Sequence, residues 1–513
     1  MYDYVIVGGG TAGSVIAARL TEDPGVSVLV LEAGPDFADV ESLPHDVAYA
    51  YAVSVKDHDW GYRAEAVPGR YIDYARGRVI GGCSSINGTI ALRGMPSDYD
   101  EWASLGNDEW SWERTLPYFL KIENDQDFPD REFHGDAGPL PIVRTPDDEL
   151  VPLQKAFLRA CVANGLDYVA DHNDPATSGV GPIPMNRRGE LRVSAAVAWL
   201  NPARGRPNLE IRDRCLVNRV VFEGARATGV EIVGNDGRAE VIEAGAVVLS
   251  AGALGSPSIL LRSGVGPTAE LDRLGVPTVR VAPGVGENLT EHQQIFVAFI
   301  PKEGVTNHSL PDVQLVVDYT AAGSDKFNDM QIYCVNKFGK ERFPKLESVL
   351  GDVDLLFAVM LVLNRAKSRG RLTLASADPS AAPEVALNCF DHPHDMERIR
   401  EGLRRCWAIG NSDDIKAMSV GIAVLNQETV DDDEKLSDYV ASNSATIWHP
   451  VGTCKMGPAS DDMAVVDQYG RVHGLQNLRV ADASIFPEHV SRNPMLTTLV
   501  IGERVAEWIG SGR

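Results

Sequence analysis

Three glycines and one acidic residue near the N-terminus have the types and spacing of a dinucleotide-binding turn. Gly8, Gly10 and Gly13 follow a short β-branched run, and Glu32 lies nineteen residues after Gly13. The first glycine permits a tight turn, the second lets the backbone approach a pyrophosphate, and the third allows close helix–strand packing. The acidic side chain would accept the ribose hydroxyls. The pattern predicts a site for FAD or NAD, since an acid here would repel the extra phosphate of NADP.

Strands and a helix must hold these residues, and the surrounding sequence predicts them. Residues 4–7 and 26–31 are apolar runs of the kind buried on both faces of a parallel sheet, with a helical pattern over 12–20 between them. Residues 246–249 and 478–481 repeat the strand pattern, each followed by small residues. The strands of the dinucleotide-binding part therefore come from three separated stretches of the chain.

The charge and the cysteines exclude several classes of protein. The net charge of −24 argues against nucleic acid and anionic lipid as partners, because both need clustered positive charge. Seven scattered cysteines without a CxxC pair are typical of a reducing compartment. No run approaches the about 18 apolar residues of a membrane span, and no signal-like N-terminus is present. We expect a cytoplasmic protein without a metal site or a membrane span.

Five further segments have glycine-rich or histidine-containing motifs in a definite order. They are 77–88 (GRVIGGCSSING), 252–267 (GALGSP and SGVGP), 284–289 (GVGENL), 448–453 (WHPVGT) and 479–484 (RVADAS), with Asn493-Pro494 beyond. In these segments, which span almost the whole chain, the sequence resembles the glucose–methanol–choline (GMC) family of FAD-dependent oxidoreductases. The resemblance implies that the cofactor is FAD, which the first motif alone cannot distinguish from NAD.

The resemblance also implies a fold and a domain organisation. The fold class is α/β, or α+β overall: a Rossmann-like FAD-binding domain interleaved with a substrate domain built on an antiparallel sheet with helices. The FAD-binding domain would consist of residues 1–146, 187–292 and 447–513. The substrate-binding domain would consist of residues 147–186 and 293–446.

Further cofactor-binding residues are implied by the same motifs. Gly81 and Gly82 have no Cβ to keep a flavin at a distance, so their backbone N–H groups can approach it closely. Some family members bind flavin covalently through a histidine just before the asparagine of this loop, but Ile86 occupies that position. We therefore predict dissociable FAD. The other expected contacts are Thr11, Ala12, Ala33, Arg78, Ser85, Asn87, Gly88, Val217, Ala251, Gly252, Asp482, Ala483, Asn493, Pro494 and Met495.

Oxidation of an alcohol needs a base for the hydroxyl proton and an acceptor for the hydride. Histidine is the natural base near neutral pH, and the resemblance assigns this role to His449 and the role of its partner to Asn493. An amide can bind the developing alkoxide while it stays uncharged. Asn493 before Pro494 is also a good helix N-cap signal, and the two roles are compatible. His292 is expected to orient a loop near the active site.

The expected reaction is FAD-dependent oxidation of an alcohol, expected to be primary, to the aldehyde or ketone. Hydride would pass to flavin N5, with reoxidation by O2 or another electron acceptor. Trp448, Trp60, Tyr333 and Phe357 are candidate substrate contacts that would suit an apolar or arylmethyl alcohol. A hydroxynitrile-lyase-type enzyme on the same scaffold and a non-catalytic flavoprotein are the alternatives. The sequence leaves open which alcohol is used, and whether the protein is a monomer or a homodimer.

Overall fold

The computed structural model describes residues 1–55, 57–234, 237–339 and 353–513. In chain order the strands are β1 (Tyr2–Val7), β2 (Val28–Leu31), β3 (Tyr62–Val67), β4 (Arg70–Tyr74), β5 (Glu123–Asp125), β6 (Leu140–Ile142), β7 (Gly179–Pro182), β8 (Arg187–Arg188), β9 (Leu191–Arg192), β10 (Leu209–Arg212), β11 (Leu216–Glu223), β12 (Arg226–Val233), β13 (Ala239–Leu249), β14 (Val265–Gly266), β15 (Arg280–Val281), β16 (Gln293–Pro301), β17 (Leu315–Tyr319), β18 (Met330–Gly339), β19 (Leu355–Leu363), β20 (Arg371–Leu374), β21 (Pro383–Ala386), β22 (Ser419–Ile422), β23 (Ala445–Thr446) and β24 (Leu478–Val480).

The helices follow the same chain order. They are α1 (Thr11–Leu20), α2 (His45–Ala48), α3 (Pro96–Ser104), α4 (Trp112–Ile122), α5 (Pro152–Ala163), α6 (Asn201–Ala203), α7 (Gly252–Arg262), α8 (Thr268–Leu274), α9 (Pro393–Gly410), α10 (Asp413–Lys416), α11 (Gln427–Asp431), α12 (Asp433–Asn443) and α13 (Met495–Gly510). Among these described helices, none has both the length and the apolar character needed to cross a membrane.

A mostly parallel sheet holds the N-terminal glycine turn. Its strand order is β10-β2-β1-β13-β12-β11, with β24 paired to β13. All four residues of β2 are buried, as are the last three of β1, which is why these strands are nearly continuous apolar runs. The carboxyl ends of β1, β2, β13 and β24 lie at one edge, where ligands of such sheets bind. The expected α/β fold is confirmed.

Strand β13 joins two kinds of sheet. Its first residues pair antiparallel with β12, and residues from Ala244 onward pair parallel with β1. Its last three residues also pair parallel with β24. Helices α1 and α13 cover one face and approach closely, because a Cβ on Gly502 would lie only 2.8 Å from the Cβ of Val15. The C-terminal elements are therefore integral to the dinucleotide-binding half.

The second large sheet is antiparallel, with order β22-β16-β19-β18-β17-β7 and β23 paired to β16. Helix α9 covers one face, where its Gly402 lies against Leu361 and its Gly410 against Phe299. On the opposite face, the register aligns Phe296, Met360 and Tyr333 in one row across β16, β19 and β18. This second face looks into the cavity described below.

A four-stranded sheet, β20-β21-β3-β4, combines strands from both expected domains. Strands β3 and β4 fall within the expected FAD-binding segment 1–146, whereas β20 and β21 fall within 293–446. Residues 340–352 of the expected substrate-binding segment lie outside the described residues. The two halves of the molecule are thus joined by shared backbone hydrogen bonds as well as by packing.

Phe357 lies on the α9 side of the antiparallel sheet. It is fully buried and stacks on Phe299 with ring centroids 4.9 Å apart. We expect Phe357→Ala to lower the free energy of unfolding by about 3–5 kcal/mol, because it removes a large buried ring and leaves a cavity. Equilibrium denaturation in urea measures the loss.

Phe327→Ala is the matched control, since this phenylalanine is 40% exposed. The control should cost about 0.5 kcal/mol or less. Unchanged stability in Phe357→Ala would contradict this position of the ring.

Candidate active site

One large cavity, with a volume of about 660 Å³, lies between the parallel sheet and the antiparallel sheet. It extends from the carboxyl ends of β1 and β2 to the inner face of β16, β18 and β19. Most of the expected cofactor residues line it: Gly8, Gly10, Thr11, Ala12, Glu32, Ala33, Gly82, Asn87, Gly88, Val217, Ala251, Gly252, Asp482, Ala483, Asn493, Pro494 and Met495. The structure therefore brings together residues from all three separated stretches.

Glu32 marks one end of the cavity. Its carboxylate accepts the backbone N–H groups of Gly9 (3.0 Å) and Gly34 (2.8 Å). Burial raises the pKa of Glu32 to about 7, although these N–H groups and the charge of Arg78 oppose the shift. A carboxylate held by two backbone donors keeps lone pairs for the hydroxyls of a ribose.

The glycines leave room for a pyrophosphate. A Cβ on Gly10 would have its nearest neighbours 3.8 and 3.9 Å away, and one on Gly252 would meet no heavy atom within 4 Å. Both positions thus border free space at the start of α1 and α7, where helix N-termini favour a negative charge. Gly13 has the packing role, because its Cβ would lie 2.0 Å from the Gly8 oxygen. The residues present fit a dinucleotide such as FAD.

In the loop over residues 77–88, some residues line the cavity and others hold the loop together. Gly82 lines the cavity and lies so close to Gly10 that a Cβ would come within 2.9 Å of the Gly10 Cα. Gly81 and Ser85 are not among the cavity-lining residues. The Gly81 N–H donates to the Gly9 carbonyl (2.7 Å), and the Ser85 hydroxyl donates to the Ile80 carbonyl (2.8 Å). These two residues stabilise the loop itself, and the direct cofactor contacts expected of them stay a prediction.

Arg78 and Trp60 lie next to each other at the cavity, and the cofactor contact expected of Arg78 stays a prediction. The Arg78 guanidinium is not among the groups that line the cavity and stacks on the Trp60 ring at 4.8 Å. Trp60 lines the cavity next to this guanidinium, whose charge acts on Glu32. The pair therefore lies toward the Glu32 end of the cavity.

Asp482 connects two of the separated stretches. Its carboxylate accepts the Gly252 N–H (2.9 Å), the Ser256 hydroxyl (2.5 Å) and the Ser484 N–H (2.8 Å). Burial raises the pKa of Asp482, and the hydroxyl and N–H donors oppose the shift. The carboxylate thus holds the start of α7 at the end of β24.

His449 lies at the other end of the cavity, and its backbone is held on both sides. Its N–H donates to the Glu291 carboxylate (2.6 Å), and its carbonyl lies 2.8 Å from Nε2 of His489. The residue before it, Trp448, has a left-handed φ of 61°. Such a conformation is costly for a side chain of this size and persists only where the surroundings impose it. The turn therefore aims the imidazole into the cavity.

Asn493 faces His449 across a short gap. Its Nδ2 lies 3.5 Å from Nε2 of His449, and both residues line the cavity. Helix α13 begins at Met495 with Pro494 at its N-cap and no side-chain cap, so Asn493 does not cap the helix. Its buried Oδ1 has no hydrogen-bond partner in the part of the chain that the structure describes. The amide is therefore available to a ligand in the cavity.

Two carboxylates fix the segment that carries Asn493. Asp98 accepts both the backbone N–H and the hydroxyl of Ser491, each at 2.7 Å. Asp318 forms an ion pair with Arg492 at 3.2 Å. No local sequence signal marks these acids, because their partners lie more than 150 residues away along the chain.

An apolar chamber adjoins the histidine end. Tyr333 lines it and donates its hydroxyl to Gln331 (3.0 Å), and Trp448 lines it beside His449. Other lining side chains of this part are Tyr51, Val53, Ile90, Met185, Val313, Met360 and Ile447. Phe357, expected here, faces the opposite side of its strand and does not belong to the chamber. That expectation was wrong because alternate residues of a strand point to opposite faces.

Burial keeps the histidines of the site uncharged. It lowers the pKa of His449 well below its ordinary value, and nearby His489 and Arg76 act in the same direction. The pKa of His489 is lowered to about 3, also chiefly by burial. A neutral imidazole that faces an uncharged amide can accept a proton, so the arrangement can perform general-base chemistry.

A glycine-lined cavity that fits a dinucleotide and ends at a histidine and an asparagine is typical of a dinucleotide-dependent oxidoreductase. Family models described as GMC oxidoreductase match residues 2–294 and 366–502. The chain belongs to the GMC oxidoreductase family, whose members use FAD.

Named relatives and solved structures resemble the chain over its whole length. The 5-(hydroxymethyl)furfural oxidase of Methylovorus sp. is 36% identical, with 99% of this chain and 98% of that protein covered. The oxygen-dependent choline dehydrogenase 1 of Chromohalobacter salexigens is 34% identical, with coverage of 99% and 94%. The crystal structure of pyridoxine 4-oxidase from Mesorbium loti superposes with a TM-score of 0.91 at 33% identity, covering 100% and 99% of the chains.

Glu291 should make stability depend on pH. Burial raises its pKa to about 7 from 4.5. Between these values Glu291 binds more protons in the folded chain than in the unfolded chain, so its contribution to the free energy of unfolding falls as the pH rises. Glu291→Gln lacks this titration. We expect its melting temperature, relative to the wild type, to rise between about pH 5 and pH 8.

Glu303→Gln is the control, because Glu303 is exposed on the surface. Its melting temperature should follow that of the wild type at each pH. A constant offset between Glu291→Gln and the wild type would show that Glu291 does not titrate in this range.

Proposed function

We propose that the protein is an FAD-dependent oxidoreductase that converts a primary alcohol to the aldehyde, with His449 as the base and Asn493 as its partner. The observation that carries the proposal is the facing pair itself, with Nε2 of His449 3.5 Å from the Asn493 amide at the end of the cavity. When bound, FAD supplies the acceptor for the hydride.

The side chains of the pair have complementary tasks. The unprotonated Nε2 of His449 takes the hydroxyl proton of the alcohol, which makes the carbon a better hydride donor. The Asn493 amide N–H donates to the alcohol oxygen and stabilises its developing negative charge. Helix α13 starts two residues later, and its N-terminus adds a partial positive charge to the site.

The chamber favours an uncharged, apolar alcohol. The wall beside the pair consists of aromatic, aliphatic and thioether side chains, including Tyr51, Met185, Tyr333, Met360 and Ile447. An arylmethyl alcohol would bury its ring against these side chains. The one carboxylate beside Val313 among the described lining residues is that of Asp312, which accepts the Val53 N–H (3.2 Å) and lies 3.8 Å from the Lys337 ammonium.

The FAD is proposed to be dissociable. Ile86, next to Asn87 in the 77–88 loop, lines the cavity at the position where some members of the family have a linking histidine. An isoleucine side chain has no nucleophilic atom, so no covalent bond to the flavin can form there.

Anaerobic mixing with alcohols tests the reaction. We expect benzyl alcohol or a related primary alcohol to bleach the flavin absorbance of the wild-type holoenzyme in a stopped-flow experiment. His449→Ala should retain FAD but be reduced at least about 10²-fold more slowly, since a positioned base contributes about 10²- to 10⁴-fold.

His473→Ala provides the matched control. Within the described chain, the His473 ring has one hydrogen bond, to the Gly457 carbonyl (3.0 Å), and neither residue lines the cavity. Its reduction rate should equal that of the wild type. Near-wild-type reduction of His449→Ala would defeat the assignment of the base. Wild-type flavin that stays oxidised with every alcohol while the protein cleaves a hydroxynitrile would favour the lyase alternative.

Acid precipitation tests the attachment of FAD. Because Ile86 cannot link to the flavin, we expect the yellow colour to appear in the supernatant after denaturation, with a white pellet. An absorbance spectrum of both fractions measures this, and colour that stays with the pellet would contradict dissociable binding.

A further inference from the structure

A second histidine lies directly behind His449 and is not exposed to the cavity. Nδ1 of His292 lies 3.0 Å from Nδ1 of His449, and Nε2 of His292 lies 3.0 Å from the Val490 carbonyl oxygen. The His292 ring is fully buried and stacks on His489 with centroids 3.7 Å apart. Three groups thus form a continuous chain of hydrogen bonds from the Val490 carbonyl to His449.

The Val490 carbonyl, at the end of this series of hydrogen bonds, determines which imidazole nitrogens carry hydrogens. A carbonyl oxygen only accepts, so Nε2 of His292 must have a hydrogen to donate. A neutral imidazole has only one such hydrogen, so Nδ1 of His292 is left as an acceptor. The facing Nδ1 of His449 must then be the donor. The one hydrogen of a neutral His449 is therefore on Nδ1, and its Nε2 is free.

The surroundings keep His292 neutral. Its neighbours are His489 and His449, with Arg365 as a nearby cation, and burial together with these groups lowers its pKa well below the ordinary value. The adjacent carboxylate of Glu291 bonds the backbone N–H of His292, not its ring, and is shared with Tyr74. Arg76 donates to the Trp448 carbonyl on the other side of His449.

We propose that His292 is a positioning residue that fixes the hydrogen of His449 on Nδ1 and thereby leaves Nε2 unprotonated toward Asn493. The inference rests on the proposed function, because an unprotonated Nε2 is needed for the reaction only if His449 accepts a proton. When the hydroxyl proton of the alcohol moves to Nε2, the O–H bond breaks and an N–H bond forms. His449 then has hydrogens on both nitrogens, and Nδ1 keeps its bond to His292. The carbonyl at Val490 anchors the whole arrangement without a carboxylate.

The orientation of Asn493 agrees with this assignment. Its Nδ2 faces Nε2 of His449, and an amide N–H can donate only to a nitrogen that lacks a hydrogen. With the opposite tautomer of His449, the N–H groups of both residues would point at each other. The same proton position therefore satisfies contacts on both sides of the His449 ring.

The tautomer can be measured without turnover. In holoenzyme labelled with ¹⁵N-histidine, the His449 signals are identified by their loss in His449→Ala. We expect a protonated Nδ1 and an unprotonated Nε2 in the wild type at about pH 8. His292→Leu, which removes the acceptor, should populate the form protonated on Nε2. In His292→Asn, the new side-chain Oδ1 can accept the hydrogen bond from Nδ1 of His449, so this variant should keep the wild-type tautomer.

Rates of flavin reduction by the alcohol give the second readout. His292→Leu should slow reduction about 10- to 100-fold, since a base in the wrong tautomer is inactive. His292→Asn should recover most of this loss. A wild-type His449 protonated on Nε2, or a tautomer unchanged in His292→Leu, would overturn the proposal. If the leucine variant does not fold, the wild type and His292→Asn still decide it. A wild type with the expected tautomer but no alcohol oxidation would contradict only the proposed function.

Discussion

One buried carboxylate holds the histidine end of the cavity together. Glu291 accepts the backbone N–H groups of His449 and His292 and the hydroxyl of Tyr74. A buried carboxyl group without partners would be strongly destabilising, but three donors offset much of that cost. The same three bonds tie the start of β16, the turn at 448–450 and the end of β4. Because the backbones of His292 and His449 both bond this one carboxylate, their imidazole rings are also held close to each other.

Features that depend on neighbouring residues could be predicted from the sequence. The turn at Gly8, Gly10 and Gly13 needs a strand before it and a helix after it, and both are encoded within twenty residues. Glu32 directly follows the next strand, so its place at the sheet edge is determined by the same short stretch. The motif around His449 and Asn493 was identified by resemblance, and the structure brings both residues to one cavity.

Features that depend on contacts across the fold could not be predicted. His489 reaches the His449 carbonyl, and Glu291 reaches its N–H from 158 residues away. No spacing marks such pairs. For Phe357, the alternation of β19 shows that it faces away from Met360, but only the position of α9 shows which face is covered. Asn493 before Pro494 fits both a helix cap and a cavity wall, and only the geometry distinguishes them.

The C-terminal origin of β24 and α13 has a consequence for biosynthesis. Strand β24 completes the parallel sheet beside β13, and α13 packs against α1 through Gly502 and Val15. While the ribosome has not yet released these residues, the nascent chain has an unpaired edge at β13 and an uncovered first helix. Such edges recruit other strands. The parallel sheet and the helix layer over it can therefore be completed only after the residues of β24 and α13 have been synthesised.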